Sequence, residues 1–263
     1  MISISRRSHV VMAACLLIVG LGAALRASAQ TSVVALWTPD EIVVGADSKT
    51  ITRRGAGPAS CKIAQLDDSF FFAAAGLNTD PQSGFELARF VRKAFQQSGT
   101  VREKVDDFES LVDRPLTAAL VRLKKEEPAF YEHYLENKGQ VLQVVFFGLE
   151  DGSPELFLRT FEVELISGNV TVVMERNECT ASTCPDATAF LLGYSGAAAG
   201  FAADHPGFWK KGLAPAVEQL VDLEVAEVPQ FVGPPVDVLR VNRGGAAWVK
   251  RKAQCAPVRK IQP

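Results

Sequence analysis

Strand-like and helix-like stretches of this chain do not alternate; they come in blocks. Apolar, β-branched runs at 32–37 and 41–46 flank Thr38-Pro39-Asp40, turn chemistry that makes the pair a hairpin. A basic, Gly-rich loop at 53–58 leads to Cys61-Lys62-Ile63, and Asp67-Asp68 precedes the run from Phe70 to Ala75, so two more strands fit there. The second block is helical. Phe85, Leu87, Ala88, Val91, Ala94 and Phe95 recur at turn-like spacing, and a second helix spans about Glu103 to Lys125, with Pro115 as a point of kinking. Strands return at 141–149 and 155–163, joined by Asp151-Gly152, and again at 170–174. Helices are expected from about Ala187 to Ala203 and from Leu213 to Val225, and strands at 236–241 and 246–249 close the chain around Gly244-Gly245. Blocks of this kind argue against a doubly wound parallel sheet. An α+β arrangement of two antiparallel sheets with helices packed outside accounts for the order.

The first thirty residues read as an address label. Arg6 and Arg7 open the chain, 10–25 is almost wholly apolar, and Ala27-Ser28-Ala29 has the small residues of a cleavage site. The alternative is a membrane anchor, but this apolar run falls short of the roughly twenty residues that span a bilayer. The expectation is an exported protein, periplasmic or extracellular, with 1–30 comprising the signal peptide plus Gln30, one domain over 31–250, and a basic tail over 251–263. Losing the leader removes Arg6, Arg7 and Arg26 and no acid, so the net charge moves from −2 to −5. That balance gives no basic footprint for nucleic acid, and no second run is long enough for a membrane span.

Cys15 leaves with the leader, and Cys61, Cys179, Cys184 and Cys255 remain as an even set in a compartment that permits disulfides. Cys179 and Cys184 stand close enough in sequence for a local bridge. Cys61 and Cys255 pair only if the fold brings them together, and otherwise are free thiols. His133 and His205 show no ligand spacing relative to these cysteines, so no zinc site is expected.

The residues at 31–80 carry a resemblance. TSVVALWTPDEIVVGADSKT followed by CKIAQLDDSFFFAAAGLNTD resembles the start of a proteasome β-type subunit, a family of N-terminal-nucleophile hydrolases. A leading Thr matches Thr31, the Asp of the family's AADSR-like motif matches Asp47 in GADSK, the catalytic Lys matches Lys62 before Ile63, and the oxyanion-hole glycine falls on Gly76 in AAAG. Later, VVFFGLEDGSPELFLRTF resembles the family's central hairpin, and GYSGAAAG its segment before the third helix, which puts Ser195 near a serine that supports the terminal amine. The resemblance implies an αββα four-layer sandwich, the Ntn-hydrolase fold, and amide-bond hydrolysis of a peptide or small amide substrate without metal or organic cofactor. It also implies a homo-oligomer, since relatives stack in rings.

The chemistry has its own logic. A Thr hydroxyl is a poor nucleophile until a base takes its proton, and an α-amine with a reference pKa of about 8 can be that base only when the Thr is terminal. Beside it, Lys62 would hold the amine's pKa down, Asp47 would fix Lys62, and the Gly76 N–H would face the oxyanion. Ser195 has a second reading as the N-cap of the following helix. Two departures stand out. VPQFVGPPVD at 228–237 replaces the family's DAYSGG-like segment and lacks its Asp and Ser in register, and Gln30 precedes Thr31. The alternative function is therefore a catalytically inactive, proteasome-like scaffold or binding protein.

Overall fold

The computed structural model describes residues 31–255 apart from 53–54, 58, 137–138 and 185; the leader and Gln30, and the basic terminus after Cys255, lie outside the described residues. The main strands are β1 (Ser32–Trp37), β2 (Glu41–Ala46), β3 (Ile63–Gln65), β4 (Phe70–Gly76), β5 (Gln140–Glu150), β6 (Ser153–Ile166), β7 (Asn169–Cys179), β8 (Thr188–Gly193), β9 (Asp237–Asn242) and β10 (Gly245–Lys250). The helices are α1 (Leu87–Phe95), α2 (Val101–Glu126), α3 (Pro128–Glu136), α4 (Gly196–Asp204) and α5 (Leu213–Glu227). One sheet has the order β8-β1-β2-β9-β10 and the other β7-β6-β5-β4-β3, with every pairing antiparallel.

The central strands are apolar on both faces because both faces are covered. In β1, Val33, Ala35 and Trp37 point at the other sheet, while Val34 and Leu36 point at α4 and α5. In β4 and β5, Phe71, Ala73, Val145 and Phe147 face the inter-sheet core, and Phe70, Val144 and Phe146 face α1 and α2. A period of two, buried on either side, builds helix, sheet, sheet and helix in turn. The Trp37 indole N–H donates to the Pro154 carbonyl at 3.0 Å, tying the two sheets together. Asp151 and Gly152, both at positive φ, make the tight turn between β5 and β6.

The order expected from the sequence holds, with one correction. Residues 188–193 are a strand, not the start of a helix: β8 pairs with β1 from Ser32↔Gly193 to Trp37↔Thr188, and α4 begins only at Gly196. The alanines of 197–203 carry a helix signal, but the free edge of β1 needs a partner, and that pairing wins over local preference. Pro115 does not break α2. A capping box between Thr100 and Glu103 starts the helix, and Phe108 and Val112 before the proline, with Leu116, Ala119 and Leu120 after it, seat both halves on the second sheet. The helix α3 was not anticipated. No described helix is long and apolar enough to cross a membrane.

Candidate active site

The site grows from the ends of β1, β2 and β8. Asp47 follows β2 directly and is fully buried. Its Oδ1 accepts the Ser32 N–H at 3.0 Å and the Lys62 ammonium at 2.5 Å; its Oδ2 accepts the Lys49 N–H at 2.9 Å and the Gly233 N–H at 3.2 Å. With two donors on each oxygen, the carboxylate is fixed in orientation. It holds the backbone just after Thr31 and the side chain of Lys62 at once.

Thr31 is held from the other side by β8. Its carbonyl accepts the Tyr194 N–H at 2.9 Å. Gly193, at φ +72°, lies so close that a Cβ there would stand 1.9 Å from the Thr31 carbonyl oxygen. Only glycine allows that approach. The Gly193 N–H in turn donates to the Gln143 side-chain oxygen on β5 at 2.8 Å. Thr31 is 4% exposed and lines, with Lys62, Phe72, Ala74 and Asn78, a cavity of about 460 Å³.

Lys62 is almost fully buried, and burial holds its pKa below the ordinary lysine value, against the opposing pull of Asp47; the charge of Lys252 adds to the lowering. The structure thus brings Thr31, Asp47 and Lys62 together. Gly76 ends β4 at φ +98°, where a Cβ would meet the Val141 carbonyl oxygen at 2.3 Å. In sequence it lies between Ala74 and Asn78, which line the cavity.

Ser195 follows Tyr194, whose N–H holds the Thr31 carbonyl. It occupies the N-cap position of α4 but makes no capping hydrogen bond. That task falls to Glu224 of α5, whose buried carboxylate accepts the Ala198 N–H at 2.8 Å. The capping reading of the Ser195 side chain is therefore corrected.

Both cysteine pairs are bridged, Cys61–Cys255 and Cys179–Cys184. The first places the chain's C-terminal segment beside the site. Lys252 is buried there, its ammonium 2.8 Å from Asp237 and donating to the Ser60 carbonyl at 2.7 Å. Gly193, Gln143, Glu224, Asp237 and Lys252 were not singled out from the sequence. A glycine at a strand end was the available signal for Gly193; Lys252 was hidden in a run of surface-like charges. The segment at 228–237 contributes backbone to the anion rather than side chains: besides the Gly233 N–H on Asp47, the Gly233 carbonyl accepts the Ser48 N–H at 2.9 Å.

No family model matches the sequence, and no curated protein matches it. Among solved structures, the chain is similar to an Anbu (Gly-1) mutant from Hyphomicrobium sp. strain MC1, with a TM-score of 0.53 and 14% identity over 84% of this chain and 86% of that one. At that identity the likeness is one of fold, and the fold is proteasome-like.

Proposed function

We propose that this chain is an exported N-terminal-threonine hydrolase, similar to proteasome β subunits, that cleaves peptide or other amide bonds. The observation that carries the reading is the shared anchor: one saturated carboxylate, Asp47, holds both the backbone next to Thr31 and the Lys62 ammonium, and Thr31 and Lys62 line one cavity. With Gln30 removed, the Thr31 amine takes the proton from its own Oγ as Oγ attacks the carbonyl carbon. The Gly76 N–H faces the oxyanion, the amine passes its proton to the leaving nitrogen, and water then releases the acyl group from the Oγ ester. Lys62, its pKa held below the ordinary lysine value by burial, disfavours a second positive charge on the Thr31 amine and relays protons. Ser195 supports the amine from the start of α4. Self-association into a homo-oligomer belongs to the same reading.

The intact mass of protein recovered from the exporting host is expected to begin at Thr31. Thr31→Ala should abolish covalent labelling by a threonine-directed electrophile and cut amide turnover roughly 10³-fold or more. Undiminished labelling of the variant overturns the assignment.

A second reading, a non-catalytic scaffold, is favoured by one observation: residues 228–237 offer Asp47 only a backbone donor where an acid and a serine would be expected to orient the amine. Gln30 retained on all recovered protein decides for the scaffold.

A further inference from the structure

Two buried Asp–Lys pairs lie side by side at this site, and the reaction proposed above uses one of them. The unused pair is Asp237–Lys252. Asp237 opens β9 and stands in register with Ala46, the residue before Asp47. Its Oδ1 accepts the Lys252 backbone N–H at 2.8 Å, and its Oδ2 lies 2.8 Å from the Lys252 ammonium. The same ammonium donates to the carbonyl of Ser60. Ser60, Cys61 and Lys62 are consecutive and all line the cavity. The segment carrying Lys252 is fastened to this stretch a second time, through the Cys61–Cys255 disulfide, and the Cys255 N–H donates back to the Lys252 carbonyl at 3.0 Å.

Such an arrangement is more than a fold needs. Burying a lysine and an aspartate is costly before their attraction is counted, and an apolar pair would close the same gap. What an apolar pair would not supply is a second positive charge behind Lys62.

We propose that Lys252, held in place by the Cys61–Cys255 disulfide, is a positioning residue that sets the protonation of Lys62. The inference rests on the role given to Lys62 in the reading above. The charged or titratable groups at this site include Asp47 after β2, Asp237 on β9, Lys252 on the C-terminal segment, Lys49 and Glu86 on the cavity wall and, once Gln30 is removed, the Thr31 amine. Of these, Asp47 favours the ammonium form. Lys252 opposes it by like-charge repulsion, strengthened by the dry surroundings of both side chains. The effect is to keep a proton-accepting amine available beside Thr31 at a lower pH than Asp47 alone would allow.

The test is the titration of Lys62, followed through its ε-carbon by NMR in the full chain with both disulfides formed; the Lys62→Arg variant identifies the signal. Lys252→Arg, which keeps the charge, should leave the midpoint where it is. Lys252→Met should move it up. The double variant Cys61→Ser/Cys255→Ser, which releases the segment, should move it in the same direction. An unmoved midpoint in folded Lys252→Met overturns the proposal, and should that variant not fold, an unmoved midpoint in the double variant does so. In the turnover assay, the acidic limb of kcat/KM should follow the midpoint to higher pH in Lys252→Met; a uniform loss at all pH values with the limb in place marks a merely structural lysine and counts against it. Absence of turnover and of Thr31 labelling in the unaltered chain fails the hydrolase reading alone, since the titration decides Lys252 without it.

Discussion

At the scale of single residues, the site depends on atoms that are absent as much as on those present. Gly193 makes room for the Thr31 carbonyl, so Gly193→Ala sets a methyl group 1.9 Å from that oxygen at a backbone φ of +72°. The combined cost of strained φ and overpacking is roughly 2–4 kcal/mol, and Thr31 must move to relieve it. Thermal melts should show the loss of stability, and electrophile labelling should fall more steeply than the folded fraction. A proportionate fall would mean that Thr31 keeps its place. The pair Thr31 and Asp47 was legible in the sequence because both lie on one hairpin at fixed spacing, and β1 pairs with β2 in register up to Val33↔Ala46. Lys62 was legible by resemblance. Gly193 and Lys252 were not, because their roles exist only where segments distant in sequence meet.

Among the elements, the β5–β6 hairpin carries one carboxyl shifted far from its ordinary range. Burial first, and then the neighbouring Glu150, push the Glu155 carboxyl up to about 7 from an ordinary 4.5. Glu150 is itself engaged, accepting the Val101 N–H at the start of α2 at 2.9 Å. A carboxyl whose folded-state pKa is raised holds its proton in the native protein over a range in which the unfolded chain releases it. Stability is therefore lost as pH rises from about 4.5 to about 7. Glu155→Gln should melt higher than the unaltered chain at pH 8, with the difference fading by pH 4; equal gaps at both pH values would sink the explanation. Strands were easier to read here than helices. β5 and β6 read as near-continuous apolar runs because a core covers one face and helices the other. The Thr188–Gly193 strand was misread because its neighbours, an alanine-rich run, favour a helix locally, while the pairing that fixes it, with β1, lies more than a hundred residues back. Pro115 falls inside a continuous α2, with packed residues on either side of it.

For the molecule as a whole, the layered order was legible because segregated patterns leave few ways to cover two sheets. The covalent frame was only half legible. A local bridge at 179–184 follows from spacing, whereas Cys61–Cys255 required the fold. Their weights should differ. In the chain-entropy account a closure of this length contributes about 5 kcal/mol and one of five residues about 2 kcal/mol. The Cys61→Ser/Cys255→Ser variant should accordingly lose more in denaturant midpoint than Cys179→Ser/Cys184→Ser, and the reverse order would show that strain or residual structure governs instead. The long bridge, with a sequence separation of 194, also makes nearly the whole domain a closed circle of polypeptide. One protease nick in the loop after α4 would open that circle without parting its arcs: the cut protein should migrate as one species until a reductant is added, and only then fall into two fragments.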